Sequence, residues 1–219
     1  MRGGINFLFG VFVDIYIATM NEHKVFEFSN MFAEEGVKCA LFSAKNVSGY
    51  EAPEETGTSF AQNAFIKAEA LAKVVPNGAF VIADDSGLVV DALNGAPGVM
   101  SARYAGVGGA GADAANNKKL LEALEGVPDA KRTARFVCAI AAICPDGTRI
   151  LCEGRMEGLI CGAEKGLNGF GYDPLFLLPD RGVTSAELPP REKDAISHRG
   201  KAFRKLVKFL RQNHISSEA

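Results

Sequence analysis

A chain of 219 residues, 47% apolar and 23% charged, can bury a core as one large domain or two small lobes. Its formal charge of −2 gives no support to a nucleic-acid binder working through bulk electrostatics, so a site for a polyanion must gather its cations locally. Five cysteines (Cys39, Cys138, Cys144, Cys152, Cys161) contain no CxxC pair, which argues against a zinc cage or a disulfide framework and for a reducing compartment. The expected location is the cytoplasm, with no membrane and no nucleic acid as partner.

Ile5 to Val13 is an apolar run behind Arg2, but it is short, lacks a small-residue cleavage site and is broken by Asp14. It is also too short to cross a bilayer. Residues 1–14 are expected to be an extension outside the core fold, or to mark a start codon set too far upstream. Residues 15–213 are expected to form one domain, with 214–219 as a tail.

Ile15–Ala18 is β-branched and aromatic and predicts a first strand. Asn21 is an N-cap candidate for a helix whose apolar positions are Val25, Phe28 and Phe32. Val37–Phe42 reads as a second strand and Glu51–Gly57 as a loop. Ser59-x-x-Gln62 has the form of a capping box, followed by an apolar stripe of Phe60, Ala64, Ala68, Leu71 and Val75 that ends at Pro76-Asn-Gly78. Asn63 and Lys67 share a neighbouring face of that helix. Ala79–Ala83 predicts a buried strand running into Asp84-Asp-Ser-Gly87, and Leu88–Leu93 a further strand closed by Asn94-Gly95.

Asp113–Leu124 predicts a helix after a glycine-rich loop. Arg135–Ile143 and Thr148–Glu157 predict a hairpin through Pro145-Asp-Gly147. Ser197 should cap the last helix, which buries Phe203, Leu206, Val207 and Leu210. This order of elements predicts an α/β fold: a mixed central sheet with flanking helices packed on it and a later antiparallel portion.

Four segments can carry chemistry. Asp84-Asp85 follows an apolar strand, where two carboxylates are costly if buried without a partner. A hard cation such as Mg²⁺, which takes carboxylate and phosphate oxygens, is one partner; a solvated turn is the other reading. Glu54-Glu55-Thr-Gly57 is a second acidic loop that could complete a metal site. Ser197-His198-Arg199-Gly-Lys201 places cations at a helix N-terminus, against the helix dipole, unless an anion is present there. Asn168-Gly-Phe-Gly-Tyr-Asp173 sets Phe170 between glycines, suited to stacking on a nucleobase or to packing in the core.

Other motifs fall away. Gly106-Val-Gly-Gly-Ala-Gly111 matches GxGxxG but lacks the preceding strand and the following acid. No Walker A ending, HExxH or GxSxG is present.

The chain resembles the inosine triphosphate pyrophosphatase family, the non-standard purine NTP pyrophosphatases. The matching stretches are Ile17–Lys24, Glu54–Ala64 with Lys67-Ala68, Ala83–Leu93, Gly95–Tyr104, Gly169–Phe176 and Glu192–Ala202, in family order. The resemblance implies a mixed, strongly twisted central sheet with flanking helices, in two lobes around a nucleotide-binding cleft, and it implies hydrolysis of ITP, dITP and XTP to monophosphate and pyrophosphate with Mg²⁺, and a homodimer. It places Thr19, Asn21, Lys24 and Lys67 at the phosphates. Glu54 and Asp85 fall on metal ligands, and Asp85 also on the proton acceptor. Ser86, Phe170, Gly171, Tyr172, Asp173, Lys193, His198 and Arg199 fall on substrate-binding positions, with Phe170 stacking on the purine, Lys193 assisting at the phosphates, and His198 and Arg199 reading the base edge. Met20 stands where many members have Gly. The competing readings are a house-cleaning hydrolase of modified pyrimidine triphosphates and a nucleotide-binding regulator without turnover.

Overall fold

The computed structural model describes residues 13–213. Seven strands form one mixed sheet in the order β2-β1-β3-β4-β5-β6-β7. Strand β1 (Val13–Ile17) leads through α1 (Glu22–Glu34) to β2 (Cys39–Ser43), and α2 (Phe60–Ala72) leads to β3 (Phe80–Val90). β1 pairs parallel with both β2 and β3. The remaining strands, β4 (Thr133–Ile143), β5 (Arg149–Ile160), β6 (Phe176–Leu178) and β7 (Val183–Thr184), pair antiparallel. Helix α3 (Ala112–Ala123) precedes β4, and α4 (Pro190–Ile196) precedes α5 (His198–Asn213).

Local chemistry explains most of these boundaries. Asn21 Oδ1 accepts the His23 N–H at 2.9 Å and starts α1. Ser59 Oγ accepts the Gln62 N–H at 3.2 Å and starts α2. The reciprocal half of the expected capping box is shifted by one residue, because Gln62 Oε1 accepts from Thr58, not from Ser59. Ser197 Oγ accepts the Gly200 N–H at 2.9 Å at the start of α5. The β4–β5 hairpin turns through Pro145-Asp-Gly147, with Asp146 Oδ1 accepting the Thr148 N–H.

The first strand begins at Val13, two residues before its expected start, and takes Asp14 into the ladder opposite Ala40. The expectations for residues 1–12 and 214–219 lie outside the described residues.

The larger correction concerns β3. The two strands expected on either side of Asp84-Asp-Ser-Gly87 are one strand of 11 residues. Its register with β4 runs unbroken from Val81↔Ile143 to Val90↔Ala134. Turn-forming side chains lose to that ladder, which satisfies the backbone on both sides of the acids. Asp91–Leu93, expected in the second strand, is a 3₁₀ turn ending on left-handed Asn94. Strands β6 and β7 and helix α4 had no counterpart among the expected elements.

The sheet is covered on both faces. Phe28 and Phe32 of α1 and Phe203, Leu206, Val207 and Leu210 of α5 pack on Ile15, Ile17, Ile82 and Ile140. Each such side chain, fully buried, contributes about 1.5–3 kcal/mol. Ala64, Ala68 and Leu71 of α2 pack on Val81, Ala83, Ala139 and Ala141 of the other face. A third cluster, around Leu88, Phe136, Met156 and Phe176, fills the far end beneath α3. All five cysteines are free thiols.

Candidate active site

Strand alternation decides where the acid pair points. Residues 80 and 82 of β3 pack with α1 and α5, and residues 81 and 83 with α2. Asp84 therefore faces α1 and α5, and Asp85 faces α2. Two adjacent carboxylates in mid-strand are thus served by cations from opposite sides of the sheet.

Asp84 Oδ2 receives Lys24 Nζ at 2.9 Å from α1, and Arg199 Nε and Nη2 at 3.3 and 3.1 Å from α5. Ser86 Oγ donates to the same oxygen at 3.2 Å. Burial alone would push the Asp84 carboxyl up, but the charges of Lys24, Arg199 and Lys67 outweigh it and hold it well below the usual carboxylate range. Its second oxygen, Oδ1, is buried and has no hydrogen-bond partner among the described residues.

Asp85 takes Lys67 Nζ at 2.9 Å on Oδ1 and Asn63 Nδ2 at 3.3 Å on Oδ2, both from α2. Here burial dominates and raises the carboxyl above its ordinary value, despite Lys67. Lys67 also donates to Glu55 Oε1 at 2.8 Å, and Arg103 Nη1 reaches Glu55 Oε2 at 3.1 Å. An ionic chain therefore runs Asp85–Lys67–Glu55–Arg103. The loop that carries Glu55 is fixed to α2, since Asn63 Oδ1 accepts the Gly57 N–H at 2.9 Å. A Cβ on Gly57 would sit 2.6 Å from that same oxygen, so only glycine fits.

Lys24, Glu55, Lys67, Asp84, Asp85, Ser86 and Arg199 line one cleft of about 430 Å³. Thr19, Asn21 and Lys24 bound it at the start of α1. There Thr19 Oγ1 accepts the Asn21 N–H at 3.1 Å. Met20 is 56% exposed and also lines it.

The aromatic end of the cleft is Phe170, its ring centroid 5.7 Å from the guanidinium carbon of Arg199. The Phe170 N–H donates to Asp173 Oδ2 at 2.9 Å, and Gly169 and Gly171 on either side hold positive φ angles of 78° and 62°. Lys193 Nζ pairs with Asp173 Oδ2 at 2.6 Å and lies 5.2 Å from the Phe170 ring centroid. Ser185 Oγ donates to Asp173 Oδ1 at 2.8 Å. Asp173 is thus saturated by its own chain and shapes the loop. Tyr172 is buried, with its hydroxyl on Ser101 O at 2.8 Å.

His198 stacks on Phe136 at 4.9 Å with 14° between the planes. Its Nδ1 is buried and has no hydrogen-bond partner among the described residues. Burial, and then the charges of Arg199 and Lys193, push its pKa well below the ordinary value, so the ring is neutral near pH 7.

The cleft brings together Thr19, Asn21, Lys24, Lys67, Asp85, Ser86, Phe170, Gly171, Tyr172, Asp173, Lys193, His198 and Arg199. Glu54 is exposed and outside the cleft lining, whereas its neighbour Glu55 lines it. Lys193, expected at the phosphates, stands at the aromatic end. Arg199, expected to read a base edge, already spends Nε and Nη2 on Asp84 and Nη1 on Glu27. A buried guanidinium must satisfy its donors, and this pairing also offsets the cost of a cation at the start of α5.

Sequence reasoning missed Glu27, Asp113 and Asn116, and within the acidic loop it singled out Glu54 where Glu55 lines the cleft. Glu27 had a legible signal: it stands three residues after Lys24, so it projects from the same side of α1.

A family model described as the Ham1 family matches residues 15–209. A dITP/XTP pyrophosphatase of Listeria innocua is 52% identical over 196 residues, 90% of this chain and 94% of the relative. A dITP/XTP pyrophosphatase of Vibrio vulnificus is 48% identical over 200 residues, 90% and 96% of the two chains. Among solved structures, a HAM1 protein from Coxiella burnetii superposes with a TM-score of 0.81 at 41% identity, covering 91% of this chain and 99% of that one. A nucleoside-triphosphatase / dITP/XTP pyrophosphatase from Mycobacterium abscessus gives 0.72 at 46% identity, covering 91% and 100%. A match that spans nearly all of the described residues, at this identity, makes the chain a member of the Ham1 family.

Proposed function

We propose that this protein hydrolyses the non-standard purine nucleoside triphosphates ITP, dITP and XTP to the monophosphate and pyrophosphate, with Mg²⁺, in the cytoplasm and as a homodimer. One observation carries the reading: Asp84 and Asp85, side by side in mid-strand, are held by cations of α1, α2 and α5 in the same cleft as Phe170. The names of the relatives supply the substrate class.

The donor chemistry suits Mg²⁺. Carboxylate oxygens are its ligands, and Asp84 Oδ1 is a buried acceptor with no hydrogen-bond partner among the described residues. Among the described residues, no group of three or more His, Cys, Asp or Glu could by itself hold a metal ion. Asp85 and the acids of the 54–55 loop would hold it, and Glu55 is the one on the cleft wall. When bound, it would neutralise charge on the phosphate oxygens.

The chain's own groups do the rest. Asp85, made more basic by burial, takes the proton of a water. The water oxygen bonds to the α-phosphorus as the bond to the β-phosphoryl oxygen breaks, and pyrophosphate leaves. Lys24 and Lys67 exchange their carboxylate partners for phosphate oxygens. Most of the rate gain is positioning and charge stabilisation. Phe170 stacks on the purine. His198, on the cleft wall and neutral near pH 7, reads the base edge.

Initial rates of pyrophosphate release over ITP, dITP, XTP, ATP, GTP and the pyrimidine triphosphates, with and without Mg²⁺, test the reading. Mg²⁺-dependent turnover of the first three is expected. A preference for modified pyrimidines, or binding without release, would replace it with one of the rival readings.

A further inference from the structure

Helix α3 carries three polar residues on one side, Asp113, Asn116 and Asn117, and each is spent on a segment that walls the cleft. Asp113 Oδ2 accepts the Gly171 N–H at 2.8 Å. Asn117 Nδ2 donates to Gly171 O at 3.2 Å and to Glu164 Oε1 at 2.8 Å. Asn116 Nδ2 donates to Ser101 O and Ala102 O at 3.3 and 3.2 Å, and its Oδ1 accepts the Ala105 N–H at 2.7 Å. Both backbone polar groups of Gly171 are therefore held from a helix more than fifty residues away in sequence.

Gly171 adopts φ +62°, a conformation that leaves neighbouring residues free to swing unless its peptides are tied. The peptide that Asp113 grips is the one that joins Gly171 to Phe170. From the other side, Asp173 Oδ2 grips the Phe170 N–H. The backbone that carries the Phe170 ring is thus held on both of its flanks, while the cations of Lys193 and Arg199 lie 5.2 and 5.7 Å from the ring centroid.

We propose that Asp113 and Asn117 are positioning residues for base recognition: from α3 they hold the backbone of Gly171 and so fix where the Phe170 ring stands on the cleft wall. The inference rests on the proposed function, because it assumes that a base stacks on Phe170. Asp113 also stands in the first turn of α3, where any acid favours the helix dipole. The test must therefore separate an acceptor for Gly171 from a charge for the helix.

Asp113→Ala removes both, and Asp113→Asn keeps a side-chain oxygen while dropping the charge. Inorganic tripolyphosphate serves as a competitive inhibitor that engages only the phosphate end. Asp113→Ala should raise KM for ITP about tenfold, the size of one lost charge-assisted hydrogen bond, and narrow the preference for ITP over ATP. Its kcat and the Ki of tripolyphosphate should stay near wild type. Asp113→Asn should recover most of the wild-type KM, and Asn117→Ala should act in the same direction as Asp113→Ala. An unchanged KM, a Ki that rises in parallel with KM, or an Asn variant as poor as Ala would each overturn the positioning role. Wild-type enzyme that fails to turn over ITP at all would instead overturn the proposed function.

Discussion

The two ends of the cleft are built by different physics. The acid end is the middle of a central strand, where buried carboxylates are offset by Lys24, Lys67 and Arg199, and every charge has a partner on rigid elements. The aromatic end is a glycine-rich loop held mainly by hydrogen bonds from side chains to backbone, with one buried ion pair, Lys193–Asp173, beneath it. Charge compensation in a sheet fixes atoms tightly but makes each member costly to remove. Backbone tethers hold a ring with less energy and leave the chemistry elsewhere. Loss at the acid end should therefore strike kcat and stability, and loss at the aromatic end KM and selectivity.

Four substitutions sharpen or break that division. Asp85→Asn is expected to have the largest effect, lowering kcat for pyrophosphate release from ITP by about 10²–10⁴-fold, the range of a lost general base. Its circular dichroism should remain that of the wild type, and retained turnover would remove Asp85 from the chemistry. Arg199→Ala strands Asp84 and Glu27 without their shared partner. Breaking such a buried pair costs about 3–5 kcal/mol, read as a lower midpoint in urea; unchanged stability would mean that the acid end is not held by charge pairing. Phe170→Ala should raise KM for ITP by an amount equal to about 1–3 kcal/mol of lost stacking, with kcat nearly unchanged. A fall in kcat with unchanged KM would merge the two ends.

The smallest effect concerns Asp194 of α4, behind the acid end. Its carboxyl is pushed up to about 6 by burial and by the charges of Glu27 and Glu34, with Lys193 and Arg199 opposing. A carboxyl whose folded value is raised costs nothing below its ordinary value of 3.8, because both states are then protonated. The cost grows as pH rises from there and is complete above about 6. Asp194→Asn should therefore raise Tm at pH 7 and leave it unchanged below pH 4. Asp84 has the opposite sign: its contribution is full above 3.8 and is lost as pH falls towards its depressed folded value. A Tm gain for Asp194→Asn that persists in acid would assign its effect to packing.

Much of this was legible in the sequence because it is local. Asn21, Ser59 and Ser197 act as caps through their own side chains, and the stripe Phe203, Leu206, Val207 and Leu210 has the helical period. Asp84-Asp85 stood out as an acid pair, but its setting did not. Asp, Ser and Gly favour turns, and only pairing with β4, more than fifty residues later, makes them strand. The roles of Glu55 and Arg199 were obscured for a related reason. Which of two adjacent glutamates enters a cleft depends on how Asn63 anchors Gly57, and what a guanidinium binds depends on Glu27 in another helix. The hold of α3 on Gly171 spans 58 positions and leaves no periodic trace.

Hydrolysis of ITP in ¹⁸O-labelled water locates the attacked atom most directly. If Asp85 delivers a water to the α-phosphorus, the label enters IMP and the pyrophosphate stays unlabelled. Label in the pyrophosphate would place the attack on the β-phosphorus and contradict the assignment of the acid end.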